Sequence, residues 1–576
     1  MSSFGSLYIG VTGLNVSQAA LNVTSHNLAN VDTKGYVRQQ AVTTDFQYLK
    51  WGESHLSSMQ RGMGANFAEV KQVRDIFLDK AYRQEIGRQA FYESQSHAVN
   101  EIQELFGEME GVQFQKTMKE FWEALQELSR EPDNVIARAS FIQVAVSFIE
   151  RAEKINNQMN DYQVNLNTKI INQVSRINEI GEEISKLNTK IRHYESNGVE
   201  KANDLRDYRN TLLDELGQIA NITYKENTVG VVTVNLEGVP FVTEDTVYKM
   251  STVRINESSP LLKPIWPSHG DVDVFDMSRP PSSMNNTDIG SLKGLLLARG
   301  DKKANYTDIP VRERYATDTQ YEDAVREYNS KVDPSVIMTA QAQFDQLIHG
   351  IVTMINDTLS PNKEVTLADG TKIKILDEEN APTGTDSQRK TGEALFTRKS
   401  TPRYTDYQDI QIINESGNVE TIRARIYNEE DPSDNYSLFT LGEIEVNPVI
   451  LQNNYDLPLS KSGENGAYDI EMVQQLLTNW QKPFATISPN TLTKNNVNDY
   501  YISFMAEIAN RGEKINSISE DQASMVISID NRRSQVTGVS SDEELTNLIK
   551  FQHSYNAAAR YVNVVSEMLE HIIMNM

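Results

Sequence analysis

The residues of this chain that could carry chemistry are its eight histidines, its glycines and one short acidic run. No two histidines have the HExxH or i, i+4 spacing that sets a pair of imidazoles on one helical face for zinc. With no cysteine in the chain, thiolate ligands and thiol chemistry are absent as well. The acids of GDVDVFD, Asp271, Asp273 and Asp276, alternate as calcium ligands can. The glycine and terminal glutamate of an EF-hand loop are missing, so they predict a solvated loop or edge strand. There is no GxSxG elbow and no P-loop, and Gly62-x-Gly64 is too short for a dinucleotide fingerprint. The sequence therefore predicts no catalytic, cofactor-binding or metal-binding residues, no cofactor and no enzymatic activity.

Charge and hydropathy narrow the class further. Fifty-five basic against 80 acidic residues give a net charge of −25, which opposes nucleic acid and anionic membranes as partners. The most apolar windows, GLLLA and FIQVAVSFI, are far shorter than a bilayer span, so no membrane insertion is expected. The opening MSSFGSLYIG has no basic n-region or cleavage pattern, so any export is expected without a cleaved signal peptide. At 576 residues the chain predicts three or more domains.

The elements repeat in a way that needs partners. Leu7, Leu14, Leu21 and Leu28 fall seven apart, with Val11, Gln18 and Ser25 interleaved. Asn30 can close that helix, Asp32 and Thr33 can bond locally, and Gly35 can supply a positive φ before the extended YVRQQAVTT. A helix from near residue 145 to Tyr194 keeps apolar residues three or four apart for roughly fifty residues, or about 75 Å. Asn197-Gly198 breaks it, and ANDLRDYRNTLLDELGQIA predicts an antiparallel partner capped by Asn203 or Asp204. VVTVNLEGVPFV predicts a hairpin turning at Glu237-Gly238, residues 255–290 a loop, and EVTLADGTKIKIL a hairpin around Asp369-Gly370. Near the end, Leu548, Tyr555, Val562, Leu569 and Met576 again fall seven apart, with Gln552, Ala559, Ser566 and Ile573 between them.

These patterns predict a multidomain α+β chain: a long helical bundle or coiled coil built from both chain ends, with an inserted mainly-β outer domain. The expected divisions are an N-terminal axial helix and extended arm over 1–90 and a long-helix domain over 91–360 with a β-hairpin insertion near 222–255. A mainly-β outer domain over 361–498 and C-terminal helices over 499–576, returning to pair with the N-terminal region, complete the chain. A lone amphipathic helix is marginal in water, so the terminal helices must pack on each other or on neighbouring copies.

Two stretches carry a family resemblance. TGLNVSQAALNVTSHNLANVDTKGYVRQ and GVSSDEELTNLIKFQHSYNAAARYVNVVSEMLEHII resemble the paired terminal signatures of bacterial flagellar rod, hook and hook-associated proteins. Interior stretches, among them RGMGANFAEVKQVRDIFLDKAYRQE and LFTLGEIEVNPVIL, resemble the hook-associated branch at the hook-filament junction. Two features depart from the family: Lys34 stands where it often has Pro, and 255–290 and 300–335 match none of its motifs.

The resemblance implies a structural adaptor that joins hook to filament, assembling helically through its terminal helices. Its implied partners are hook protein, a second hook-filament junction protein, copies of itself, and a cytoplasmic export chaperone at the C-terminal helix. Its implied location is the extracellular flagellum. The expected subunit-packing residues are Leu7, Val11, Leu14, Leu21, Leu28, Leu548, Gln552, Tyr555, Val562 and Leu569, and the expected turn motif is Asn30, Thr33, Gly35 and Tyr36. The alternatives are a hook or filament subunit that polymerises extensively, or an axial protein whose outer domain is an adhesin or an enzyme.

Overall fold

The computed structural model describes residues 3–54, 57–107, 114–197, 201–257, 259–414, 417–461 and 468–574. Helix α1 (Ser3–Ala29) leads into four strands, β1 (Gln39–Asp45), β2 (Tyr48–Ser54), β3 (Ser57–Gly62) and β4 (Ala65–Gln72). They form two antiparallel ribbons, β1 with β4 and β2 with β3. Helices α2 (Ile76–Phe106), α3 (Phe114–Arg130) and α4 (Val135–Tyr194) follow.

The 60 residues of α4 span about 90 Å. It starts ahead of residue 145 because Asn134 caps it, accepting from the amides of Ile136 and Ala137 at 2.9 and 3.4 Å. Ile155, Met159, Leu166, Ile170, Val174, Ile177, Ile180, Ile184, Leu187 and Ile191 are all buried, as their spacing predicts. Gly198 lies outside the described residues. Antiparallel to α4 runs α5 (Asn203–Ile219). Neither Asn203 nor Asp204 caps it: Asn203 is already helical, and its side-chain amide donates instead to the Val70 carbonyl of β4 at 3.2 Å.

Strands β5 (Ile222–Glu226), β6 (Val232–Leu236) and β7 (Val239–Val242) form one sheet in that order. Its second turn is made by Glu237 and Gly238 at φ 49° and 83°, the left-handed conformations a two-residue hairpin needs. Strands β8 (Ser251–Arg254), β9 (Leu262–Trp266) and β10 (Val272–Asp273) form a second sheet. The 255–290 segment is therefore not wholly a loop: β9 and β10 lie in it, and Trp266 is fully buried. Pro260, Pro264 and Pro267 had obscured the strand. Asp273 pairs with Lys263 at 2.7 Å and Asp276 accepts from Ser278, so these acids serve a strand pair and a turn.

The rest of the body comprises α6 (Ser291–Arg299), α7 (Asp318–Glu327), α8 (Val336–Leu359), β11 (Asn362–Leu367), β12 (Lys372–Leu376), β13 (Phe396–Arg398), β14 (Gln408–Ile413), β15 (Val419–Ala424), β16 (Ile444–Val446), α9 (Pro448–Gln452) and α10 (Ile470–Gln481). A four-stranded sheet runs β12-β11-β14-β15, with Gly370 at φ 88° in its first hairpin, and β13 pairs with β16. One apolar cluster draws residues from both sides of residue 361. Phe121 of α3, Phe344 of α8, Phe396 of β13 and Trp480 of α10 belong to one apolar cluster, with Phe121 and Trp480 rings 5.9 Å apart. Composition marked this segment as β-rich, but composition does not report which surfaces it buries.

Two long helices close the chain, α11 (Val497–Thr537) and α12 (Ser541–Met574). α11 lies antiparallel on α2, close enough that a Cβ on Gly512 would stand 2.9 Å from Val99. α12 then packs along α1. No described helix is long and apolar enough to cross a membrane.

Candidate assembly interface

α1 and α12 form an antiparallel pair in which Gly10 faces Val562, Gly13 faces Ala558 and Asn27 faces Glu544. A Cβ at Gly10 would fall 2.6 Å from Val562 Cγ2, and one at Gly13 would fall 3.5 Å from Ala558 Cβ. The buried face of α1 is Gly10, Thr12, Ser17, Ala20, Thr24 and Asn27, small or polar throughout. Small residues let the two backbones approach.

Within the chain the expected leucines lie beside this contact. Leu7, Leu14, Leu21 and Leu28 flank the contact half-buried, and Val11 is 38 % exposed. The seven-residue period is right, but close packing selects the small stripe and leaves the leucines beside it. On α12, Leu548, Val562 and Leu569 are half-buried. Phe551 and Val565 lie three positions on from Leu548 and Val562 and Ala558 one turn before Val562, while Gln552 and Tyr555 are exposed and Met576 lies outside the described residues. The opposite face of α12 exposes Ile549, Val564, Met568 and Ile572.

The turn after α1 is a run of short backbone bonds: Asn30 N–H to Asn27 O, Thr33 N–H to Asn30 O and Tyr36 N–H to Thr33 O, at 3.0–3.1 Å. Thr33 also donates its hydroxyl to Asn30 Oδ1 at 3.1 Å. Gly35 adopts φ 84°, and a Cβ there would meet Thr211 Oγ1 of α5 at 2.7 Å. The turn thus lies directly on the helical body.

Asn27 joins the pieces. Its Oδ1 accepts from Gln39 N–H at 3.0 Å and from the Tyr36 hydroxyl at 2.8 Å, and its Nδ2 donates to Gln39 O at 2.8 Å and to Glu544 Oε2 at 3.1 Å. Glu544 is nearly fully buried and also accepts from Arg38 Nε at 2.9 Å. Burial, then the nearby Asp207, Asp204 and Glu544 carboxylates, push the Tyr36 hydroxyl well above its ordinary range, keeping it a donor.

Below this hub the arm meets α5 and the long helices. Asp207 accepts from Val37 N–H at 3.2 Å and Gln72 Nε2 at 2.7 Å. Burial pushes its carboxyl up to about 7, against the lowering effect of those bonds and of Arg74. From Arg74 an alternating charge chain runs to Asp79 at 2.9 Å, to Arg533 at 2.9 Å, to Asp214 at 2.7 Å and to Arg83 at 2.7 Å. It ties the strand arm to α2, α11 and α5. The chain joins the arm to the body, with Arg83 Nη1 left buried without a hydrogen-bond partner.

The expected seam missed Gly10, Gly13 and Asn27, and the turn motif missed Arg38, Asp207 and Glu544. One sign was legible: Gly10, Ser17 and Thr24, like Gly13, Ala20 and Asn27, also recur every seven residues. Nothing local marks Asp207 or Glu544, whose partners are distant in sequence.

Three family profiles match separate parts of the chain. A flagella basal body rod protein profile matches residues 7–36, the flagellar hook-associated protein FlgK helical domain matches 99–371, and the flagellar basal body rod FlgEFG protein C-terminal profile matches 533–576. Over 598 aligned residues the chain is 24% identical to flagellar hook-associated protein 1 of Bacillus subtilis (strain 168), covering 100% of this chain and 99% of that one. End to end, the chain is similar to flagellar hook-associated protein 1. The Escherichia coli (strain K12) flagellar hook-associated protein 1 is 22% identical, with 98% of each chain covered. The flagellar hook junction protein FlgK from Burkholderia pseudomallei shares the fold, with a TM-score of 0.52 at 12% identity, over 80% of this chain and all of that one. Flagellar basal-body rod protein FlgG of Buchnera aphidicola subsp. Acyrthosiphon pisum is 49% identical over only 80 residues, 14% of this chain.

Proposed function

We propose that this chain is a structural subunit of the bacterial flagellum, without catalysis, that joins hook to filament. One observation carries the reading. Both ends of a chain related end to end to hook-associated proteins pair into a single antiparallel rod, and that rod keeps an exposed apolar face. Such a face needs a partner, and regular copies of one chain supply it along a tube.

In this reading Leu7, Val11, Leu14, Leu21 and Leu28 from α1, with Gln552, Tyr555, Val564 and Met568 from α12, meet neighbouring copies. Leu548, Val562 and Leu569 hold the rod together. Asn30, Thr33, Gly35 and Tyr36 set the angle at which the rod leaves the body. The proposed partners are hook protein on one side, a second junction protein on the other, and an export chaperone that covers α12 before secretion. The proposed divisions keep 1–90 and 499–576 together as the axial part, with 91–360 and 361–498 outside it.

Deleting the chain from its cell tests this reading. The expected result is complete hooks on the cell and filament protein free in the medium. Shortened or missing hooks would move the role to the hook itself, and attached filaments would remove it from the junction.

A further inference from the structure

Where α2 leaves the charge chain, it faces the open edge of the β5-β6-β7 sheet across a cleft of about 470 Å³. Lys80 and Arg83 come from α2, and Thr223, Tyr224 and Lys225 come from β5. The Arg83 guanidinium lies 4.4 Å from the Tyr224 ring centre and is committed to Asp214, yet its buried Nη1 has no hydrogen-bond partner. Lys80 and Lys225 are exposed, and among the described residues neither has an ion-pair partner. An edge strand also offers backbone donors and acceptors on its free side. The cleft is thus cationic in a chain of net charge −25.

That contrast identifies its occupant. Copies of a strongly acidic chain repel one another, and within a Debye length of about 8 Å the repulsion is relieved only where unpaired cations on one copy face carboxylates on the next. We propose that this cleft docks Asp or Glu side chains of a second copy of the chain, with Lys80 and Lys225 as the pairing cations. The proposal rests on the assembly reading above and deepens it. The contact lies beside the joint where α2, α5 and α11 meet, so it would fix a neighbour at the level where the axial rod enters the body.

Two measurements test it. Hook-filament assemblies grown from mixed light and nitrogen-15-labelled copies are treated with a carbodiimide, which joins amine to carboxylate only at ion-pair distance. Peptides linking Lys80 or Lys225 of one isotopic form to an acid of the other are expected; links confined to one chain, or none, overturn the proposal. In the second measurement, Lys80→Glu with Lys225→Glu is added to isolated hooks. Incorporation is expected to fall at least tenfold and to be kept by Lys80→Arg with Lys225→Arg. Wild-type incorporation of the glutamate pair overturns the cleft while leaving the junction reading intact, whereas failure of the unaltered chain to incorporate overturns both.

Discussion

Asn27 donates its side-chain amide to Glu544 at 3.1 Å, tying together residues 517 apart in the sequence. The same side chain brackets Gln39 through both its oxygen and its nitrogen, so one asparagine fixes α1, the arm and α12. Removing it strands buried groups on all three. Asn27→Ala should lower the stability of the axial part by about 2 kcal/mol. Amide exchange at Gln39 and across the start of α12 measures this; unchanged protection there would contradict the hub.

Gly10 allows the close approach of α1 and α12. In an isolated helix, replacing glycine by leucine would stabilise by up to about 1 kcal/mol. Here the new Cβ alone would stand 2.6 Å from Val562 Cγ2, and overpacking costs roughly 1–3 kcal/mol. Gly10→Leu is therefore expected to destabilise the pair on balance, read as faster proteolysis of α12 with the body intact. A gain in protease resistance would show that the helices can separate without loss.

Asp207 gives the joint a pH dependence whose sign follows from its burial. Its carboxyl is pushed up to about 7 in the fold, against an ordinary 3.8, so the native joint holds a proton that the unfolded chain has released. Stability from this group is greatest below 3.8 and falls as pH rises towards 7. Glu237, also pushed up to about 7 by burial, acts in the same sense. For Glu430, burial is outweighed by His349 and Tyr306, which hold it down to about 2, so it acts in the opposite sense in acid. Comparison with Asp207→Asn isolates the joint: the wild type should lose stability relative to the variant by the order of 2 kcal/mol between pH 4 and pH 8. Parallel pH curves for the two would contradict this.

Much of this architecture was legible in the sequence, for reasons that also mark where legibility ends. α4 declared itself because a helix buried on one stripe must repeat every three or four residues, and Glu237-Gly238 declared a turn because few residues accept positive φ. The turn from Asn30 to Tyr36 was equally local. The seam was harder: leucines draw the eye to one stripe, whereas α1 buries the stripe of Gly10, Ser17, Ala20 and Thr24 beside it. Hydropathy carries no term for how closely two backbones approach. The joint was not legible, since Asp207 acts through Val37 and Gln72, residues more than a hundred positions away.

The exposed face of α12 separates assembly from folding. Val564 and Met568 are 48 % and 59 % exposed and lie away from Gly10 and Gly13, so acids there leave the rod able to form. Val564→Asp with Met568→Asp should give a soluble chain with native circular dichroism that is absent from purified flagella. Normal incorporation of this variant would show that another face meets the neighbours. Val562→Asp, by contrast, should damage the rod itself.

Electron cryomicroscopy of isolated hooks incubated with the purified chain would show the junction itself. The expected result is a short, finite layer at the distal end of each hook, with the α1–α12 rods innermost and the helical body outside. Bare hooks would contradict a junction role, and long tubes of the chain would make it a polymerising hook or filament subunit instead.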